Sequence, residues 1–304
     1  MTISDKAINR LREVVYEPDL SGTRYRITGV AGHGGMGTVF EAEDNTLHRR
    51  VALKIIQPAE AFLDQSALDR LLEEARILAR LEHPGIVPVH DAGVLLDGNV
   101  FYTMKFVQGE RLDAYAAGNS SVSDLLRVFQ KVCDAVAFAH AQGVVHRDLK
   151  PENIMVGTFG EVLVMDWGIA TILSGRREPA GTIVGTPEYM APEQASGAVH
   201  EVDTRTDVFG LGAILQFLLS DKKVSRSLRA VATKAKAASP ADRYSSAVDV
   251  AADIQRHLDG LPVEAYRENL IERSARIIAN NRMAFALIAA YLLMRVLVFF
   301  LLNR

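Results

Sequence analysis

The spacing of hydrophobic residues changes along the chain. Between 25 and 104, short apolar runs with strand-like character are separated by polar turns, and the run Arg-Val-Ala-Leu-Lys-Ile-Ile at 50–56 is typical of them. One amphipathic helical repeat interrupts these runs at 70–80, and a longer one occupies 125–138. The pattern predicts strands in the first part of the chain and helices after it.

The last part of the chain has a different pattern. Four arginines punctuate a polar, helical connector over 263–282: Arg267, Arg273, Arg276 and Arg282. Residues 283–302 are apolar apart from Arg295, and about twenty apolar residues match a bilayer span. A central arginine costs roughly 2.5–3.5 kcal/mol, but Arg295 lies in the distal third, where its side chain can reach the far interface. We predict a transmembrane helix over 283–302, with an amphipathic or buried helix as the alternative.

Composition narrows the class of protein. With 304 residues, of which 49% are hydrophobic, the chain can bury a sizeable core, which excludes a disordered protein. The net charge of -3 argues against a nucleic-acid partner. Cys133 is the only cysteine, which fits a reducing compartment, and its helical phase points it inward. The first two dozen residues lack the apolar run of a signal peptide. We therefore expect the part of the chain before 283 to lie in the cytoplasm, on the inner face of the membrane.

A glycine-rich segment follows the first predicted strand. Residues 31–39, Ala-Gly-His-Gly-Gly-Met-Gly-Thr-Val, have the spacing G-x-G-x-x-G-x-V. Glycines let backbone amides approach phosphates closely, and Val39 would cover one face of a purine. A dinucleotide-binding loop should open a helix, whereas 38–42 continue as strand and lead to a polar turn at Asp44 and Asn45. The segment therefore predicts a hairpin.

Two polar segments carry candidate chemistry. The run His-Arg-Asp-Leu-Lys-Pro-Glu-Asn at 146–153 contains Asp148, which could accept a proton from a hydroxyl, and Lys150, which could neutralise a phosphoryl group. Asn153 could bind a divalent ion through its amide oxygen. About thirteen residues later, a strand-like run delivers the triplet Asp-Trp-Gly at 166–168. Either segment by itself could be an ordinary polar loop or turn.

These segments, in this order, resemble the motifs of serine/threonine protein kinases, most closely the bacterial ones that end in a membrane helix. The resemblance covers about residues 25–262. It implies an α+β, two-lobed fold, in which an N-lobe with a small antiparallel sheet (25–104) and a hinge (105–109) precede a helical C-lobe (110–262). Residues 1–24 would be an N-terminal extension, with a mild helical period at 5–16.

The resemblance also implies a function. ATP and Mg²⁺ would bind between the lobes, and the γ-phosphoryl group would pass to Ser or Thr of proteins, including a second copy of the chain, in membrane-associated signalling. A pseudokinase that acts as a membrane scaffold is the alternative, but Lys54, Asp148, Asn153 and Asp166 are all present. A small-molecule kinase is disfavoured by the Ala-Pro-Glu segment at 191–193.

Residue roles follow from the resemblance. Lys54 would contact the α- and β-phosphates and pair with Glu74, or with its neighbour Glu73, although Glu74 lies nearer to the apolar stripe of its helix. Asp166 and Asn153 would bind the metal. Met104 would be the gatekeeper residue behind the adenine, whose edge would bond the backbone of Lys105 and Val107, although most relatives have an acidic residue in place of Lys105. The complete predicted nucleotide site is Gly32, His33, Gly34, Gly35, Met36, Gly37, Val39, Ala52, Lys54, Met104, Lys105, Val107, Met155 and Asp166.

The segment 169–188 resembles a kinase activation segment. We predict that Thr182 is phosphorylated and neutralises Arg147, with Thr171 and Ser174 as weaker candidates. Thr186 would be structural and contact Asp148 and Lys150. Two further contacts are expected: Glu193 with Arg243, and Asp207 with the backbone of the catalytic loop.

The connector at 220–226 departs from the family pattern. In relatives, a separate helix in this region helps to dock protein substrates. Here the connector is too short and too polar to hold such a helix. We expect the chemistry to survive and docking to be weaker, with membrane tethering as compensation.

Overall fold

The computed structural model describes residues 18–34, 37–56, 79–118, 120–167, 171–172 and 185–302. The segments 5–16 and 70–78 lie outside them, and so do Glu73 and Glu74. The first part forms a five-stranded antiparallel sheet from β1 (Tyr25–Gly34), β2 (Gly37–Asp44), β3 (Arg49–Ile56), β4 (Val89–Val94) and β5 (Val100–Lys105). The strand order is β1-β2-β3-β5-β4. The hairpin predicted for the glycine-rich segment is confirmed, because β1 and β2 pair antiparallel.

The alternation of side chains along β3 gives the sheet two apolar faces. Leu53 packs with Phe40 and Phe101 on one face. Ala52 lies opposite Met104 of β5, and both belong to a cluster on the other face. Because successive side chains of a strand point to opposite faces, Lys54 shares the face of Ala52. This is the face that carries the predicted nucleotide-binding side chains.

The second part is mainly helical. Its helices are α1 (Leu112–Ala117), α2 (Val122–Ala141), α3 (Pro192–Ala195), α4 (Thr204–Leu219), α5 (Arg226–Ala235) and α6 (Ala247–Leu258). Short strands accompany them: β6 (Gly109–Arg111), β7 (Val144–Val145), β8 (Ile154–Gly157), β9 (Val162–Val164) and β10 (Thr171–Ile172). β8 lies between β6 and β9, and β7 pairs with β10. The two-lobed arrangement predicted from the sequence is present.

Helix α4 lies in the centre of the C-lobe and is buried on nearly all sides, as expected for a helix without a polar face. Helix α2 packs against it and against α6. Cys133 of α2 is completely buried, as its helical phase predicted. Burial raises the pKa of its thiol well above the ordinary value, so it fills the core and is a poor nucleophile.

The chain stays on the C-lobe beyond residue 262, where the sequence predicted the domain boundary. Val263 is buried in the main core, and the carboxylate of Asp253 accepts hydrogen bonds from the amides of Glu264 (2.7 Å) and Ala265 (3.0 Å). Helix α7 (Leu270–Asn280) follows. The first residues of the predicted connector therefore pack as part of the helical lobe.

Helix α8 (Arg282–Leu302) covers the predicted transmembrane segment. Within the described residues, no single helix is long and apolar enough to qualify as a membrane span. The segments Leu270–Ala279 and Met283–Val296 qualify only as a pair, bent by 91° with respect to each other. The transmembrane helix stays a prediction.

Candidate active site

The loop between β7 and β8 carries the predicted catalytic residues, and a buried carboxylate holds its backbone. Asp207 of α4 accepts hydrogen bonds from the amides of His146 and Arg147, both at 2.8 Å. His140 of α2 contacts the same carboxylate at 2.8 Å. Burial by itself raises the pKa of Asp207, but the hydrogen bond and charge of His140 outweigh it and hold the pKa below its ordinary value. The predicted contact of Asp207 with the loop backbone is present.

Asp148 lies at the centre of a hydrogen-bonded cluster. Its Oδ1 accepts hydrogen bonds from the amide and the hydroxyl of Thr186, both at 2.9 Å. Its Oδ2 lies 2.8 Å from Nζ of Lys150 and 3.2 Å from Nδ2 of Asn153. Nζ of Lys150 also donates to the Thr186 hydroxyl at 2.8 Å. Thr186 therefore makes the two contacts that the resemblance implies.

Left-handed backbone occurs at three positions around this cluster. Gly185 has φ 129°, and a Cβ there would lie 3.2 Å from the carbonyl oxygen of Arg147, so glycine lets Thr186 approach the loop. Arg147 (φ 69°) and Asp166 (φ 59°) adopt positive φ without being glycine. Such residues cost about 1–3 kcal/mol each and are concentrated at functional sites, where the surrounding contacts hold them.

Asn153 and Asp166 are the predicted metal ligands. Nδ2 of Asn153 donates to the backbone oxygen of Asp148 at 2.9 Å, which orients its Oδ1 as the ligand atom. The amide of Met165, next to Asp166, donates to the Asn153 carbonyl at 2.8 Å and joins the two segments. In the part of the chain that the structure describes, no three His, Cys, Asp or Glu side chains form a metal-binding group. One carboxylate and one amide oxygen fit Mg²⁺, which usually keeps water or phosphate oxygens as its other ligands.

Lys54 is buried beside these residues. Its side chain is 5% exposed and forms an ion pair with Asp166, whose side chain is 35% exposed. It also hydrogen-bonds Tyr102, which lies opposite it on β5. Burial by itself lowers the pKa of Lys54, but Tyr102 and Asp166 outweigh burial and raise the pKa above its ordinary value. Lys54 is therefore held as a cation within reach of the predicted metal ligand.

The predicted adenine-binding residues form an apolar surface. Val39, Ala52, Met104 and Val107 belong to one hydrophobic cluster. Met155, on β8, lies outside this cluster and is partly exposed. The remaining predicted contacts are backbone ones at Gly32, His33, Gly34, Gly37 and Lys105. The amide of Lys105 already donates to the carbonyl of Pro88 at 3.1 Å.

The chain is similar in sequence to known proteins. Residues 25–276 match the family model of the protein kinase domain. The chain belongs to the protein kinase family. The kinase is 34% identical over 298 residues to the serine/threonine-protein kinase PknD of Chlamydia pneumoniae, covering 79% of this chain and 31% of that protein. It is 36% identical over 300 residues to PknD of Chlamydia felis, with 79% and 31% covered.

A solved structure gives the same result. The crystal structure of the Mycobacterium tuberculosis PknI kinase domain is similar with a TM-score of 0.59 and 28% sequence identity, covering 77% of this chain and 95% of that chain. The kinase spans about a third of the length of the PknD proteins it matches. The match over 25–276 includes the beginning of α7, in agreement with the packing beyond residue 262.

Trp167 replaces the phenylalanine that is usual in the middle of the Asp-Trp-Gly triplet. It is 2% exposed, and its Nε1 donates to the carbonyl of Val164 at 3.2 Å. Its ring lies against the ring of His146, with the centroids 4.5 Å apart. Tryptophan therefore fills a buried apolar position in the main core. The contact ties the segment with Asp166 to the catalytic loop.

The predicted pair of Glu193 and Arg243 is completely buried. The guanidinium donates two hydrogen bonds to the carboxylate, at 2.7 and 2.8 Å. It donates three more to the carbonyls of Arg205 (2.9 Å), Ala237 (2.8 Å) and Ala238 (3.0 Å). All five N–H groups of the arginine are therefore satisfied, and the pair joins the end of the activation segment to the C-lobe.

Some predicted residues lie outside the described part of the chain: Glu74, Gly35, Met36, Gly168, Thr182 and Ser174. Of the phosphorylation candidates, Thr171 is described, and its backbone pairs with Val145 just before the catalytic loop.

Sequence reasoning missed three residues of the site. Tyr102 had a signal, since it lies two residues before Met104 and must share its face of the strand. The contact of His140 with Asp207 had no signal in the sequence, because the two residues are far apart along the chain. The same holds for Gln194, whose Nε2 donates to the carbonyl of Arg147 at 2.8 Å.

Proposed function

We propose that this kinase transfers the γ-phosphoryl group of ATP to serine and threonine hydroxyls of proteins, with Mg²⁺ as cofactor. The observation that supports this most directly is the cluster around Asp148, in which Lys150 and Asn153 both lie within hydrogen-bond distance of its carboxylate. The cluster brings a proton acceptor, a cation and a metal-ligand oxygen together. Phosphoryl transfer needs these parts, because its catalysis is mostly positioning and charge stabilisation.

In the proposed reaction, Asp148 accepts the proton of the attacking hydroxyl. The hydroxyl oxygen forms a bond to the γ-phosphorus, and the bond to the oxygen that bridges the β- and γ-phosphates breaks. Lys150 stabilises negative charge on the transferred group, and Lys54 exchanges its contact with Asp166 for the α- and β-phosphates. Magnesium held by Asp166 and Asn153 would neutralise charge between the β- and γ-phosphates.

The test is the substitution Asp148→Asn. The variant should lose about 10²–10⁴-fold in kcat, the usual contribution of a general base, and should keep its nucleotide affinity because Asp148 acts on the hydroxyl. The matched control is Asp134→Asn, at an exposed position of α2. Phosphate transfer to a peptide and nucleotide titration are measured on all three proteins. Unchanged turnover of Asp148→Asn would contradict the proposal, and nucleotide binding without any transfer by the parent would indicate a pseudokinase.

We further propose that α8 inserts in a membrane and holds the kinase domain on its cytoplasmic face. Large apolar side chains are exposed at the described positions of α8, among them Leu287 (69%), Leu293 (72%) and Phe299 (62%). A helix that is apolar all round is stable only in an apolar environment. The large exposed apolar surface of α8 is the support for this part of the proposal.

Anchoring of the kinase in the membrane would also favour substrates that are anchored in the same membrane. Residues 220–225 join α4 directly to α5, which leaves no room for a further docking helix between them. Two anchored copies share a membrane surface, so their effective concentration is high and phosphorylation in trans is favoured. The full chain in vesicles should phosphorylate itself faster than protein ending at Arg282 does in solution at equal bulk concentration. Equal rates well below saturation would contradict a role of anchoring in substrate choice.

A further inference from the structure

Helix α7 has one face bound to the kinase domain. Glu272 accepts a hydrogen bond from the hydroxyl of Tyr266 at 3.0 Å and lies 3.7 Å from the guanidinium of Arg226 at the start of α5. Arg276, one turn later, donates to Glu268 at 2.8 Å and to the carbonyl of Gly260, just after α6, at 3.2 Å. Residues four apart lie on the same side of a helix. Glu272 and Arg276 therefore turn the polar face of α7 towards the C-lobe.

The opposite face of α7 is apolar and exposed. Leu270 and Ile271 are each 80% exposed, and Ile278 is 48% exposed. With 3.6 residues per turn, Leu270, Ser274 and Ile278 follow one line along the helix, on the side away from Glu272 and Arg276. The contacts of the polar face prevent α7 from turning this apolar face into the C-lobe.

The direction of α8 indicates what covers the apolar face. The segments Leu270–Ala279 and Met283–Val296 meet at 91°, close to a right angle. If α8 crosses a bilayer along its normal, a helix at a right angle to it lies in the plane of the membrane. The apolar face of α7 can then enter the bilayer while its polar face stays on the water side.

We propose that α7 is an interfacial helix that lies flat on an anionic bilayer and carries the C-lobe on its water side. The proposal rests on the membrane insertion of α8 proposed above. Such helices bury their apolar face roughly 5–10 Å into the boundary between headgroups and acyl chains. Arg267 and Arg273 are exposed on and next to α7, and their charge complements anionic headgroups. A protein partner on α7 alone would leave the apolar surface of α8 unexplained.

One consequence concerns the orientation of the kinase. A flexible connector would let the domain turn freely above the membrane. Because Glu272 and Arg276 attach α7 to the C-lobe, a flat α7 instead fixes the tilt and height of the whole domain. The substrates that reach Asp148 are then those whose acceptor hydroxyl lies at one distance from the same surface.

Depth-dependent quenching of a fluorophore tests this. Single cysteines are introduced in the full chain by Ile271→Cys on α7, Met294→Cys on α8 and Phe159→Cys at a turn of the C-lobe, and each is labelled with a polarity-sensitive fluorophore. Ile271, Met294 and Phe159 are 80%, 56% and 95% exposed, so the substitutions should not disturb folding. Cys133 is completely buried and stays unlabelled. The proteins are inserted in vesicles containing phosphatidylglycerol, with lipid spin labels near the headgroup or deep in the acyl chain.

Four outcomes are distinguishable. We expect the label at 271 to have a blue-shifted emission and to be quenched by the shallow spin label. The label at 294 should be quenched by the deep spin label, and the label at 159 should be quenched by neither. A 271 label as accessible to aqueous iodide as the 159 label, with 294 still quenched, would overturn the proposal for α7 while leaving the anchor intact. Protection of 271 that disappears when the protein is diluted in lipid would also overturn it, because a second copy would then cover the face. A label at 294 that the deep spin label does not quench would instead refute the membrane insertion of α8.

Discussion

Removal of the Arg243 guanidinium should strongly destabilise the C-lobe, because it takes away five hydrogen bonds at once. In Arg243→Met, the carboxylate of Glu193 loses both of its hydrogen bonds to the arginine and stays buried. The hydroxyl of Thr206, at 3.0 Å, remains as a donor to it. Methionine has a similar length and no charge, so the change removes the cation without opening a large cavity.

The expected cost is about 3–5 kcal/mol, the usual result of removing one partner of a buried ion pair. Glu193→Gln should cost less, because the three backbone carbonyls still accept from the arginine and the glutamine oxygen can replace one carboxylate oxygen. The double variant Glu193→Leu, Arg243→Met should be more stable than Arg243→Met, because it no longer buries an unpaired carboxylate. It should still be less stable than the parent. The carbonyls of Arg205, Ala237 and Ala238 still lose their donor, at roughly 1–3 kcal/mol for each that water cannot reach.

The difference in the free energy of unfolding between the parent and Arg243→Met should become smaller as the pH falls. Burial by itself raises the pKa of Glu193, but Arg243 outweighs it and holds the pKa below the ordinary value of 4.5. In the parent, this group therefore stabilises the fold above pH 4.5, and the contribution is lost as pH falls through the lower folded pKa. In Arg243→Met, burial is opposed only by the hydrogen bonds from the Thr206 hydroxyl and the backbone, so we expect the folded pKa of Glu193 to rise above 4.5. The penalty is then full at neutral pH and declines as pH falls towards 4.5.

Urea unfolding of protein ending at Arg282 provides the measurement. Trp167 is the only tryptophan and is buried in the main core, so its fluorescence reports unfolding of the C-lobe. The parent, both single variants and the double variant are compared at neutral and at mildly acidic pH. An Arg243→Met protein within about 0.5 kcal/mol of the parent, the range of neutral surface substitutions, would refute the reasoning. A difference that widens in acid would refute the assignment to Glu193.

Other predictions concern the site and the core. Lys54→Met should weaken both nucleotide binding and turnover, since Lys54 is proposed to contact the phosphates, and calorimetric titration with Lys54→Arg as the control checks this. Cys133 should react with a thiol reagent only after unfolding, because it is completely buried and its pKa is raised, and a reagent that absorbs on reaction shows when the thiol becomes accessible. Activity should require a phosphate on Thr182, or on Thr171 or Ser174 in its place. Mass spectrometry of active enzyme without phosphate between 169 and 186 would contradict that.

Local patterns predicted the parts of the fold that depend on neighbouring residues. The apolar run at 50–56 predicted strand β3, which begins one residue earlier and ends at the same residue. The inward position of Cys133 followed in the same way from helical phase. The hairpin of β1 and β2 followed because the glycine-rich segment continues as strand on both sides, which a helix-opening loop would not do.

Contacts between distant segments could not be predicted in this way. Arg243 was assigned one partner, Glu193, yet three of its five hydrogen bonds go to backbone carbonyls that have no signature in the sequence. His140 and Asp207 lie on different helices, and their contact depends on how α2 packs against α4. The attachment of α7 to the C-lobe likewise depends on ion pairs between residues that look like ordinary surface charges.

The two halves of the candidate site are organised differently, and this bears on how ligands enter it. On the acceptor side, Asp148, Lys150 and Thr186 hold one another through hydrogen bonds and an ion pair. On the nucleotide side, Lys54 and Asp166 are each other's partners. Under the proposed function, a phosphate that draws Lys54 away would leave the Asp166 carboxylate available, and a metal ion on Asp166 would release Lys54. Each ligand would thus remove a competitor of the other, and linkage would make their binding mutually favourable. The proposed function therefore predicts that nucleotide and metal bind cooperatively through the ion pair of Lys54 and Asp166.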